Sequence, residues 1–282
     1  MYKAGAVAFS EGLQTLENTG IMLKALQYLK TIDGTIIQVP GDKTIAPHGL
    51  VNEGITSTLM GLPGKPAIAE EICVARDIEL LRYTGSRLHI TGISTKVSLE
   101  LIKNARIEGL HLTCSVTPYH VFFCEEDLAG YNTNLKLNPP LRTRKDMMAL
   151  RAGLNAGEID CIASHHLPVH ADKKDCEFEY ASYGMSNLEA TYSAVNTIME
   201  EDPGKLAEMM ADKPREIFNL PRPSIEIGQE AVLTLFAPGE TYTFSEKNIL
   251  SHAHNNPFLG HTLKGRVLGT VFRQILHLNA HD

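Results

Sequence analysis

Apolar and polar positions along this chain alternate between two rhythms. Short apolar runs of strand character stand at 4–10 (AGAVAFS), 35–40 (TIIQVP), 87–95 (RLHITGIST), 110–118 (LHLTCSVTP) and 159–164 (IDCIAS). Between and after them, apolar residues fall at helical spacing over 21–31, 67–85, 96–109, 144–157 and 186–201. Three of these stretches close on Gly85, Gly109 and Gly157, the residue that a left-handed helix C-terminus favours. The 67–85 stretch predicts an amphipathic helix. Strands that alternate with helices predict βαβ units and a parallel sheet. Five such strands fit a doubly wound sheet or part of a (β/α)8 barrel.

From about residue 222 the texture changes to short alternating strands with Gly and Pro turns, as in SIEIGQEAVLTLFAPGETYTFS and GHTLKGRVLGTVFRQ. That pattern predicts a small antiparallel β module packed beside the barrel. The expected organisation is a partial barrel at 1–221 and a β module with its tail at 222–282.

Composition narrows the class. The chain has 282 residues, 43% of them hydrophobic, enough for a sizeable core. A formal net charge of -7 and the lack of a Lys/Arg block argue against a nucleic-acid partner. No apolar run approaches the ~20 residues of a membrane helix, and MYKAGAVAFSEG has no signal-peptide pattern. Five scattered cysteines without a C-x-x-C predict buried thiols rather than a disulfide framework. A soluble, cytoplasmic, globular protein is expected. There is neither a G-x-G-x-x-G after a strand nor a G-x-x-x-x-G-K-[ST], which disfavours dinucleotide and P-loop binding.

In parallel barrels the chemistry sits at the C-terminal ends of the strands. Those ends carry Ser10–Glu11–Gly12, Val39–Pro40–Gly41–Asp42, Gly92–Ile93–Ser94–Thr95, Thr117–Pro118–Tyr119–His120 and His165–His166. Carboxylates are few. One dense cluster, IASHHLPVH at 162–170, holds His165, His166 and His170. His89, inside its strand, reads as a buried, hydrogen-bonded histidine.

Six segments, in order, resemble dihydroorotases of the cyclic amidohydrolase superfamily: HGLVNEGI (48–55), GLPGKPAIAEE (61–71), RLHITGIST (87–95), TCSVTPYH (113–120), LKLNPPLRT (135–143) and IDCIASHHLP (159–168). The C-terminal G-x-x-L-x-G-R-V module resembles that family's tail. The resemblance implies a (β/α)8 barrel with a small β-sandwich. It also implies a zinc centre that opens or closes the dihydroorotate ring, the metals generating hydroxide while an aspartate shuttles the proton.

The family's ligand positions are altered here. Its early H-x-H has no counterpart before His252 and His254, which lie in the tail module. The acidic pair of A-F-T-D-D-G becomes Glu11 and Gly12, and the histidine of V-H-C-E-D becomes Val39. The histidine of C-H-V-S-T becomes Gly92; in T-D-H-A-P-H the aspartate becomes His165 and the last histidine becomes Val169. The resemblance therefore implies no metal ligand set and no cofactor in this chain, although the family uses zinc. On the substrate side Asn138, Arg142 and Gly184 stand where the family pattern places them, so a pocket for a small cyclic amide is expected. For NPPLR a rigid turn is the competing reading, since Pro139 and Pro140 each fix φ.

By the same resemblance the chain begins where family members are already mid-barrel. About five βα units would leave two parallel edges open. A truncated gene, a misassigned start and a fragment all fit that expectation.

Three readings of IASHHLPVH compete. His165, His166 and His170 form a new metal site with His120 or Glu11; or His165 acts as a metal-free general base; or the cluster is the remnant of a dihydroorotase strand end that lines a pocket. The third is favoured, because adjacent strand residues face opposite ways. Three functions follow. The first is a dihydroorotase-like pseudoenzyme with a structural or regulatory role, as a homo-oligomer or beside an aspartate transcarbamoylase-like partner. The second is an active cyclic amide hydrolase with an altered site, where His165 is catalytic. The third is a small-molecule binding or scaffold protein unrelated to pyrimidines.

Overall fold

The computed structural model describes residues 1–199 and 202–279. The expected helix at 186–201 runs into positions 200 and 201, and the expected tail into 280–282, which lie outside the described residues. In chain order the elements are β1 (Ala8–Phe9), α1 (Thr19–Lys30), β2 (Thr35–Gln38), β3 (Val51–Asn52), α2 (Ile55–Met60) and β4 (Gly64–Lys65). Then come α3 (Ile68–Thr84), β5 (Arg87–Thr91), α4 (Lys96–Ile107), β6 (Leu112–Val116), α5 (Pro118–Phe122), α6 (Arg144–Ala156) and β7 (Cys161–Ile162). They are followed by α7 (Leu188–Ile198), α8 (Pro203–Ala207), α9 (Lys213–Ile217), β8 (Val232–Thr243), β9 (Thr262–Phe272) and β10 (Ile275–Leu278).

The five expected strands form one parallel sheet in the order β1-β2-β5-β6-β7. Each strand lies beside its predecessor in that sheet, so the winding never reverses. That is the order of a barrel arc and not of a doubly wound sheet. The edge strands are much shorter than the sequence runs 4–10 and 159–164, at two residues each, because each has only one neighbour to pair with. A two-stranded ribbon, β3 with β4, was not expected; it lies in HGLVNEGI and GLPGKP.

Local chemistry sets the helix ends. Asn18, Thr95 and Thr143 cap α1, α4 and α6 by accepting from the backbone N–H of Ile21, Ser98 and Asp146. Gly85 and Gly157 close α3 and α6 in the left-handed conformation. The amphipathic expectation for α3 is corrected. Its inner face buries Glu70 and Asp77, while Ile68 and Ile72 are exposed. The inner carboxylates are stable there because they are bonded: Glu70 accepts from the N–H of Ser94 at 2.9 Å, and Asp77 pairs with Arg76 at 2.7 Å.

Two cores result. Leu88, Ile90, Leu112, Cys114 and Val116 of the sheet pack against Val74, Ile78, Leu99 and Ile102 of α3 and α4. The second core joins Tyr119, Phe123, Leu137 and Met185 to Phe244, Phe258 and Leu263 of the C-terminal module, a three-stranded antiparallel sheet ordered β10-β9-β8. Four cysteines are buried, Cys176 is half-buried, and all five are free. Among the described residues no helix is long and apolar enough to cross a membrane.

Candidate ligand site at the strand ends

A cavity of about 190 Å³ opens at the C-terminal ends of the parallel strands. It brings together three residues singled out in the sequence, Asn138, His165 and Gly184, with Val39, Tyr119 and Tyr183. Asn138 precedes a cis Asn138–Pro139 bond, and its Oδ1 accepts from Lys65 Nζ at 2.7 Å. Burial lowers the Lys65 pKa, and the Arg142 guanidinium beside it adds to the effect. Gly184 has φ +132, and a Cβ there would lie 2.9 Å from Leu167 side-chain atoms, so only glycine fits without movement.

Arg142 does not line this cavity. Its side chain is 2% exposed and holds loops together: Nε donates to Ser94 Oγ at 3.0 Å, and Nη1 donates to Asn52 Oδ1 and to the Lys65 carbonyl, each at 2.9 Å. Glu70 sits 4.0 Å from Nη2, and Asn52 in turn bonds Glu125. The arginine is thus the counter-charge of a buried acidic pair. Asn52, Lys65 and Glu70 went unnoticed as a unit in the sequence, although all three lie in the segments that carry the family resemblance.

The three clustered histidines part company. His165 takes φ 42, turns its ring over Gly92, and bonds Thr91 Oγ1 through Nε2 at 2.8 Å. A Cβ at Gly92 would come within 2.5 Å of His165 Cε1. Burial pushes the His165 imidazole down to about 4, so it is neutral near pH 7. His166 Nδ1 accepts the N–H of Asn187 at 3.1 Å, ahead of α7. His170 is exposed, and its ring lies 3.3 Å from Asp172. His120, the other proposed partner, is buried against Thr117 and the Pro139 and Pro140 carbonyls and is driven down to about 3 by burial. Glu11 is exposed. A new metal site from these groups is therefore not formed.

His89 is buried and hydrogen-bonded, with Nδ1 2.9 Å from Thr113 Oγ1 and Nε2 3.1 Å from Ser115 Oγ. Phe218 meets its ring edge-on at 5.6 Å. Burial holds His89 neutral, down to about 3. Ser115 then donates to Thr91 Oγ1 at 2.9 Å, and Thr91 meets His165. This polar train inside the sheet was not anticipated as a unit. A second cavity, about 640 Å³, lies at the opposite strand ends between Thr35, Arg87, Thr113 and Ile217.

Zinc needs about three or four nitrogen, sulfur or oxygen donors converging on one point. Val39 and Gly92 offer none from their side chains, and Nε2 of His165 is engaged by Thr91. Among the described residues no group of three or more His, Cys, Asp or Glu stands where it could hold a metal ion. The residues present do not fit the zinc centre that the resemblance implies.

A family model described as dihydro-orotase-like matches residues 1–98. Similar curated proteins include the dihydroorotase of Syntrophus aciditrophicus, 37% identical over 272 residues that cover 95% of this chain and 64% of that protein. The dihydroorotase of Trichlorobacter lovleyi is 38% identical over 272 residues with the same two coverages. The chain thus spans a little under two thirds of the length of these relatives. Among solved structures, an L-hydantoinase (dihydropyrimidinase) from Arthrobacter aurescens superposes with TM-score 0.85 at 20% identity, over all of this chain and 67% of that one. A D-hydantoinase (dihydropyrimidinase) from Thermus sp. gives 0.80 at 18%, over 96% and 63%. The structural likeness shows the fold alone, a large part of the barrel those two structures share.

Proposed function

We propose that this chain, which belongs to the dihydroorotase-like family, binds a small cyclic amide at its strand ends and does no metal-dependent hydrolysis there. Its role on this reading is structural or regulatory, in the cytoplasm, as a homo-oligomer or beside an aspartate transcarbamoylase-like partner. The observation that carries it is the Gly92–His165 contact. An imidazole fills the space over Gly92, and a ligand side chain at 92 would collide with it. Asn138 and Gly184 remain on the cavity wall, which supports a retained ligand site.

A second reading is an active dihydroorotase, and it is favoured by the 37–38% identity to proteins of that name. The metal donors would then come from residues outside this chain. One experiment separates the two: zinc per chain and dihydroorotate turnover on the purified protein, with a thermal-shift titration of dihydroorotate alongside. The first reading expects a shift without metal or turnover. Tightly held zinc with turnover would establish the second and overturn the first.

A further inference from the structure

We propose that His165 is the specificity-determining residue of the strand-end cavity, locked as an Nδ1–H donor so that the site takes ligands by their hydrogen-bond acceptors. This rests on the reading of the cavity as a ligand site. It adds which chemistry the site recognises and what fixes it.

Protons can be counted along one path. Thr113 Oγ1, His89, Ser115 Oγ, Thr91 Oγ1 and His165 Nε2 are joined by contacts of 2.9, 3.1, 2.9 and 2.8 Å. Ser115 is assigned as the donor in its contact with Thr91 Oγ1. The neighbouring His89 Nε2 must then carry a proton to give to Ser115, which leaves Nδ1 to accept from Thr113. Thr91 has used its oxygen to accept, so its own proton is free for His165 Nε2. The opposite choice would leave the buried Thr91 hydroxyl proton without a partner, a costly arrangement. With Nε2 accepting, the one ring proton of neutral His165 sits on Nδ1. No partner meets Nδ1 among the described residues, and His165 stands on the cavity wall.

The rest of the wall agrees. Lys65 occupies Oδ1 of Asn138, so the asparagine has its amide hydrogens left to offer. Among the described residues no Asp or Glu lines the wall. Ring carbonyls or a carboxylate match such a site. A ligand whose polar groups are all donors does not. Thr91 is the positioning residue, since it acts through His165.

The test uses the full chain, uniformly labelled with nitrogen-15, and 5,6-dihydrouracil as the probe. Long-range imidazole spectra of the wild type are expected to show Nδ1–H for His165 and Nε2–H for His89. Thr91→Val is expected to mix the His165 tautomers and weaken dihydrouracil binding by about tenfold, while Thr91→Ser restores both. A purely packing role for Thr91 would not move the tautomer signature. A proton found on His165 Nε2 in the wild type overturns the donor assignment even if dihydrouracil binds, and needs no variant to fold. The expected tautomer with no dihydrouracil contact at the cavity overturns the ligand-site reading and the specificity with it. Mixed tautomers in Thr91→Val with unchanged affinity remove His165 as the determinant.

Discussion

The two ends of the parallel sheet differ in how their polar groups are held. At the C-terminal ends a small cavity carries Asn138 and His165, anchored by side chains, Asn138 on Lys65 and His165 on Thr91, and nearby Arg142 is held by Ser94, Asn52 and the Lys65 carbonyl. At the N-terminal ends the cavity is more than three times larger, about 640 against 190 Å³. Its cations rest mainly on backbone carbonyls, Arg87 on Ile217 at 3.0 Å and Lys30 on Thr84 at 2.6 Å, and the Asp33 that also pairs with Arg87 has a side chain 74% exposed. The smaller cavity is the one proposed to bind a ligand, and its case rests on fixed polar groups rather than on volume.

That contrast is open to attack by substitution. The largest effect is expected from Arg142→Met, which leaves Glu70 and Glu125 buried without their counter-charge and should cost about 3–5 kcal/mol in urea unfolding. A loss below ~1 kcal/mol would mean that the network is not fixed by charge. Next comes Gly92→Ala. The added methyl meets the His165 ring, and φ +71 disfavours any side chain, so about 2–3 kcal/mol should be lost. His165→Ala in the same chain should return at least ~1 kcal/mol of that as a coupling energy in a double-mutant cycle. Strict additivity would mean that the ring moves aside freely. The smallest effect is expected at the other end, where Asp33→Ala should change stability by less than ~1 kcal/mol, being an exposed ion pair. A loss there that matched Arg142→Met would erase the difference between the ends.

Much of this architecture is legible in the sequence. Apolar runs and closing glycines placed the five strands of the sheet and most of the long helices, because burial on both faces of a parallel sheet leaves near-continuous apolar stretches. The outermost strands were overread, since an apolar run pairs only where a neighbour exists. The inner face of α3 was misread because its carboxylates find polar partners when buried, Glu70 on the distant Ser94 and Asp77 on the distant Gln38 and the adjacent Arg76. Of the positions singled out for a candidate site, Asn138, His165 and Gly184 converge on one cavity and Arg142 stands apart. The hydroxyl–imidazole train was not legible. Alternation in Arg87–Thr91 shows that His89 and Thr91 share a face, but their partners depend on register. Only the pairing of His89 with Thr113 and Thr91 with Ser115 across β5 and β6 brings those side chains together.

The shared aromatic core has a consequence for how the molecule comes apart. Phe258 of the C-terminal module lies 5.1 Å from the rings of both Phe122 and Phe123, and Phe244 and Leu263 are buried in the same cluster. Pulling the module away would expose those rings and the floor beneath Tyr119 and Leu137, which also shape the ligand cavity. The β module is therefore a keystone rather than an appendage. Heat should melt it and the barrel in one cooperative step, and a protease cut that frees it should abolish ligand binding together with the fold.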